Sequence, residues 1–165
     1  MKKTEHMPLF GVGPLIVVPT IILTCLGVFL TSRNVIPLLT IQPLAVIIRL
    51  IGAVAIGLGL IMYILGAFLS RIDDSIRNNE LKTDGIFAFS RNPIYTAIII
   101  LCTGVILFSR NLALLVIPLF GVVWARGILI RTEEKWLEER FGDAYRRYCQ
   151  RVNRFVTLLP KKRNG

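Results

Sequence analysis

The sequence predicts an all-α, polytopic membrane protein: about four transmembrane helices, a C-terminal helical hairpin and an amphipathic cytoplasmic tail helix, within a single domain over residues 1–165. Composition points there first, at 54% hydrophobic and 18% charged, where a soluble domain carries about 25% charged residues. The apolar residues also cluster in blocks of membrane-spanning length instead of being spread with the period of a surface helix or strand. Finally, Lys and Arg collect between and after those blocks, as they do in cytoplasmic loops.

The first block, about residues 9–31, follows Lys2 and Lys3 and is expected to be a span. It is long for the apolar region of a signal peptide and lacks the small-residue cleavage site that would follow one. The second, about 43–70, holds Gly52, Gly57, Gly59 and Gly66, residues that let helices approach closely. Arg49 lies near its start, with a side chain long enough to reach the interface. A polar stretch from Arg71 to Pro93 leads to a short third block, about 94–109, and a fourth, about 112–130. Only Ser109-Arg110-Asn111 comes before Leu112, so the last two are read as an antiparallel hairpin, with Pro118 expected to kink its second helix. Beyond it Trp136, Leu137, Phe141, Tyr145 and Tyr148 recur at spacings of three and four among charges, the pattern of a helix on the membrane surface. Gly142 allows a break there.

Outside the spans, the N-terminus, the 71–93 stretch and the tail hold sixteen Lys and Arg, against two in the remaining connections. This places both termini and the middle loop in the cytoplasm. The net charge of +10 is thereby assigned to lipid headgroups, and nucleic acid is excluded as a partner. Cys25, Cys102 and Cys149 form no CxxC pair, and His6 stands alone, so no metal site is expected. The spans contain no Asp or Glu, which argues against a proton-coupled transporter.

Two polar segments could carry chemistry. In one, Leu81 to Tyr95, Gly85 permits a turn, Asn92 stands near a cap position and Pro93 can open a helix whose free N–H groups suit an anion. In the other, Arg126 to Glu139, Glu133 lies seven residues after Arg126, and Glu134 lies three after Arg131 at ion-pair spacing. On the residues alone, an ordinary helix start and ordinary solvated charges account for these segments better than a ligand site does.

The two segments together resemble the signature of the membrane methyltransferases that include isoprenylcysteine carboxyl methyltransferase and the phospholipid N-methyltransferases. Leu81, Thr83, Gly85, Phe87, Arg91, Asn92, Pro93 and Tyr95 match its first motif. Past the hairpin, Glu133, Glu134 and Leu137, then Phe141, Gly142, Tyr145 and Tyr148, match its second. The resemblance covers about residues 80–156 and implies S-adenosylmethionine as methyl donor. Carried over by position, Leu81, Gly85, Phe87, Arg91, Asn92, Pro93 and Tyr95 line one wall of the cofactor pocket, and Glu133 and Glu134 supply the other. Three positions depart from the pattern: Asn92 for the usual His, Ala97 for a frequent Gly, and Asn153 for a frequent Pro.

The resemblance further implies a lipophilic or lipidated acceptor that reaches the site from the bilayer. A carboxylate acceptor needs no base; an amine acceptor must first lose a proton, for which Glu133 or Glu134 is the candidate. Arg126 and Arg131 are the candidates to orient an anionic substrate group. A non-catalytic membrane scaffold that uses the basic tail is the competing reading.

Overall fold

The computed structural model describes residues 12–69 and 80–155. Lys2, Lys3, His6, the onset of the first block, most of the polar loop and the end of the tail lie outside the described residues. Those described are helical and turn structure without strands. Helix α1 spans Gly13–Ser32, α2 Ala45–Ile64, α3 Pro93–Ser109, α4 Val116–Arg131, α5 Glu133–Phe141 and α6 Asp143–Arg151.

Three helical runs are long and apolar enough to cross a membrane: Gly13–Ser32, Gln42–Phe68 and Leu112–Phe141. At 17 residues α3 is shorter, about 25 Å at 1.5 Å per residue. Its ends nevertheless sit level with those of α1: Tyr95 lies beside Gly13, and Asn111, just past α3, bonds Thr31. The helices alternate in direction. Gly52 lies against Phe108 and Gly66 against Ile94, so α2 and α3 are antiparallel. Gly27 meets Leu114 and Gly121 meets Thr20, so α1 and α4 are antiparallel too.

Only Ile48, Gly52 and Gly59 of α2 are buried, while Val46, Leu50, Val54, Leu58 and Ile61 are exposed. A helix apolar on its outer face as well as its inner one belongs in lipid. By contrast α3 is the central helix, burying Thr96, Ala97, Ile98, Cys102, Gly104 and Ile106. Glycine sets the spacing of α2 and α3. Gly57, in contrast, has nothing within 4 Å of the place its side chain would occupy.

The expected hairpin is present. Arg110 adopts a left-handed conformation (φ 64) to end α3, and a 3₁₀ turn, Leu112–Leu115, leads into α4. That turn moves the start of α4 to Val116, so Pro118 falls in the first helical turn, where the missing N–H has no partner to lose. The kink expected from a helix interior therefore has no cause. Asn111 is fully buried. Its amide donates to Thr31 Oγ1 (2.9 Å) and the Pro37 carbonyl (3.2 Å), and its side-chain oxygen accepts from Leu39 N (3.3 Å) and Ala113 N (3.2 Å). One side chain thus ties the α1–α2 connection to the α3–α4 turn. Asn111→Ala leaves these groups unpaired in a dry place, at a cost of about 2 kcal/mol or more. A lowered unfolding midpoint in detergent, with ligand binding at the opposite end of the bundle unchanged, is the expected result.

The tail is two helices, not one. Gly142 (φ 50, ψ −122) separates α5 from α6. Tyr145, Tyr148 and Val152 are buried with Leu81, Leu137 and Phe141 packed against them. The stripe read as membrane-facing is thus partly spent on the chain's own 81–90 segment, where Tyr148 donates to the Phe87 carbonyl (2.7 Å).

Candidate functional site

The site forms at the bundle end where α3 begins and α4 stops. At Thr132 (φ −125, ψ −90) the chain leaves α4 and restarts as α5. The break dissolves the continuous-helix geometry on which pairing with Arg126 or Arg131 depended, and Glu133 and Glu134, successive residues of α5, point about 100° apart. Glu133 faces the bundle, where its Oε1 accepts from the Tyr95 hydroxyl (2.8 Å) and from Val12 N at the start of α1 (3.4 Å). It thereby clasps α1, α3 and α5.

Glu134 faces the other way. Arg154 grips it with two parallel bonds, Nε to Oε1 and Nη2 to Oε2, both 2.6 Å. This fork is the strongest geometry a carboxylate finds in a protein. Arg91 approaches from the opposite side, its Nη1 3.4 Å from Oε1. The side chains of Arg91 and Glu134 are only 11% and 13% exposed. Arg91 Nη1 also contacts the Tyr145 hydroxyl (3.2 Å) and Cys149 Sγ, and its guanidinium lies over the Tyr145 ring. Its Nε is buried without a hydrogen-bond partner among the described residues.

Two backbone strips hold this arrangement. Arg91 N donates to the Asn153 carbonyl (3.0 Å) and Asn92 N to the Arg154 carbonyl (3.2 Å), so residues 91–92 and 153–154 run side by side. Asn92 Nδ2 donates to that same Arg154 carbonyl (3.1 Å). Asn92 therefore anchors the tail. Pro93 starts α3 and is buried. Burial pushes the hydroxyls of Tyr145 and Tyr148 above the usual phenol range, and hydrogen bonding to Glu134 raises Arg154. Both phenols are therefore neutral and Arg154 is charged at neutral pH.

An open cleft of about 510 Å³ runs past Glu134, Glu138, Tyr145, Cys149 and Ile130. On its rim Arg146 pairs with Glu138 at 2.9 Å. Of the residues read from the sequence, the fold brings Arg91, Asn92, Pro93, Tyr95, Glu133 and Glu134 together. Phe87 is buried beneath Tyr148, Leu81 packs under α6, and Gly85 (φ 57) is an exposed turn. Arg126 and Arg131 are exposed and form no ion pair among the described residues. Arg154, Cys149 and the tail backbone were not singled out. The signal for Arg154 was a carboxylate in need of a cation, but the ten basic residues of the tail made any one of them indistinct.

Residues 45–144 match the profile of the phospholipid methyltransferase family, more than half of the chain. The chain belongs to that family. It is also similar to the protein-S-isoprenylcysteine O-methyltransferase of Schizosaccharomyces pombe, 35% identical over 99 residues, which cover 58% of this chain and 41% of that relative. The chain thus matches less than half of the relative's length. No solved structure matches. Family membership and the long apolar helices make this an integral membrane protein of the methyltransferase type, and the motif residues that gather at one end of its bundle are the family member's candidate site.

Proposed function

We propose that the protein transfers a methyl group from S-adenosylmethionine to a lipophilic acceptor at the cytoplasmic membrane face, the acceptor atom being a carboxylate oxygen. The supporting observation is the group of Arg91, Glu134 and Arg154, largely shielded from water, whose Glu134 lines a cleft of about 510 Å³. The donor's carboxylate suits Arg91, whose buried Nε lacks an acceptor among the described residues. Its ammonium suits Glu134, since a carboxylate offers about four lone-pair sites and the two guanidiniums use only part of them. When bound, the donor supplies an electrophilic methyl group on a sulfonium.

The remaining demands fall on the chain. A displacement needs its partners held in line, and a rigid cluster built on helix ends does this. A carboxylate acceptor has no proton to lose. An amine acceptor needs a base, and both candidate acids are already engaged: Glu133 by Tyr95 and Val12, Glu134 by two guanidiniums. That occupancy favours oxygen over nitrogen as the methylated atom. The Schizosaccharomyces pombe relative is an O-methyltransferase, which agrees with this. The cytoplasmic placement is supported by the sixteen-to-two distribution of Lys and Arg.

Calorimetric titration of S-adenosylmethionine into the detergent-solubilised protein tests the reading. Saturable micromolar binding is expected, followed by methyl transfer to prenylated carboxylates in preference to phospholipid amines. A folded protein that gives no binding heat would leave a scaffold built on a methyltransferase frame.

A further inference from the structure

The cluster's charges do not balance, and the imbalance assigns roles to its two arginines. Glu134 brings one negative charge, Arg91 and Arg154 bring two positive ones. Arg154 satisfies both carboxylate oxygens at 2.6 Å. Arg91 reaches only one of them, by a single nitrogen at 3.4 Å, and its Nε has no hydrogen-bond partner among the described residues. The neighbouring rim charges pair with one another, Arg146 with Glu138 and Asp143 and Lys135 with Glu139, and none of these pairs includes Arg91. Of the two cations in the cluster, Arg91 is therefore the less fully paired.

Resting on the cofactor reading above, we propose that Arg154 is a positioning residue: by occupying Glu134 it keeps Arg91 from closing onto that carboxylate and leaves Arg91 to bind the donor's carboxylate. Arg154 is placed for this by backbone. Its carbonyl accepts from Asn92 N, Asn92 Nδ2 and Ser90 Oγ (3.3 Å), so the 153–155 strip moves with the Arg91 loop. Without the Arg154 side chain, Arg91 becomes the sole counter-ion of Glu134. A bidentate Arg91–Glu134 pair is then the favoured state of two half-buried opposite charges. That state has no cation left for an incoming anion.

The test compares S-adenosylmethionine with its decarboxylated analogue, by calorimetry on the full chain in detergent, for wild type, Arg154→Ala and Arg154→Lys. A charge-assisted bond separates the two ligands, so wild type is expected to prefer S-adenosylmethionine roughly tenfold to a hundredfold. Arg154→Ala is expected to lose that preference while still binding the decarboxylated analogue. Arg154→Lys, which keeps the charge but not the fork, is expected to recover part of it. Equal weakening for both ligands, or an unchanged preference in a folded Arg154→Ala protein, would overturn the positioning role and leave the cofactor reading standing. Absence of binding by wild type would overturn both. If Arg154→Ala does not fold, the lysine variant alone decides: full wild-type preference there overturns the role, and a reduced preference with intact analogue binding supports it.

Discussion

Glu134→Gln is expected to abolish binding of S-adenosylmethionine at micromolar levels and with it methyl transfer. Replacing the carboxylate by a neutral amide leaves Arg91 and Arg154 facing each other around an uncharged group, in a pocket where the carboxylate was 13% exposed. Removing one partner from a largely buried ionic cluster costs about 3–5 kcal/mol. Here the loss falls on a local site whose two remaining cations repel and swing apart, carrying the 153–154 strip and the Arg91 loop with them. Glu133→Gln provides the contrast. Among the described residues Glu133 meets no cation within ion-pair distance; it holds Tyr95 and Val12. Both bonds go to one oxygen, which the glutamine amide retains, so only their charge assistance is lost; binding is expected to stay within severalfold of wild type while the unfolding midpoint falls modestly. Calorimetry and thermal unfolding on both variants check this. Wild-type affinity in Glu134→Gln would remove Glu134 from the site.

The difference between these adjacent acids was not legible in the sequence, and the reason is local. Arg131-Thr132-Glu133 contains neither Gly nor Pro, so nothing in the text stops a helix there. Read as continuous, the segment puts Glu133 on the face of Arg126 and Glu134 beside Arg131. The turn at Thr132 sends Glu133 to the bundle and Glu134 to the cleft instead. The spans, in contrast, were legible because a bilayer demands long uninterrupted apolar runs, and the Arg91–Tyr95 motif because its residues are contiguous. The tail was half legible. Its stripe of Leu137, Phe141, Tyr145 and Tyr148 was read as apolar, but periodicity does not distinguish a helix that covers lipid from one that covers its own chain. The contact to Phe87, 61 residues away, is a tertiary fact with no local trace. The bonds of Asn111 to the α1–α2 connection, 72 to 80 residues distant, belong to the same class.

Gly104→Leu is expected to do the most damage to the fold. A side chain on Gly104 would start 2.7 Å from Ile56 N and 2.8 Å from the Gly52 carbonyl oxygen. Reciprocally, one on Gly52 would lie 2.5 Å from Phe108 N and 2.8 Å from the Gly104 carbonyl oxygen. These obstacles are backbone atoms, which no rotamer change can clear, so α2 and α3 must separate. Inside a bilayer no hydrophobic effect draws them back together, because lipid is as apolar as the helices; close packing is what holds them. With only Ile48, Gly52 and Gly59 buried on α2, losing this contact removes most of what attaches that helix. A loss of at least about 4 kcal/mol is expected, seen as aggregation in detergent or a large fall in unfolding midpoint. Gly57→Leu, placed where nothing lies within 4 Å, is the matched control on the same helix and is expected to behave as wild type. The effect also reaches the site, since α3 begins at Pro93 directly after Arg91 and Asn92. Gly104→Ala, a smaller wedge, is expected to fold with the two helices pushed apart and to bind the donor more weakly than wild type. A Gly104→Leu protein as stable as the Gly57→Leu control would mean that the α2–α3 contact does not hold the bundle together.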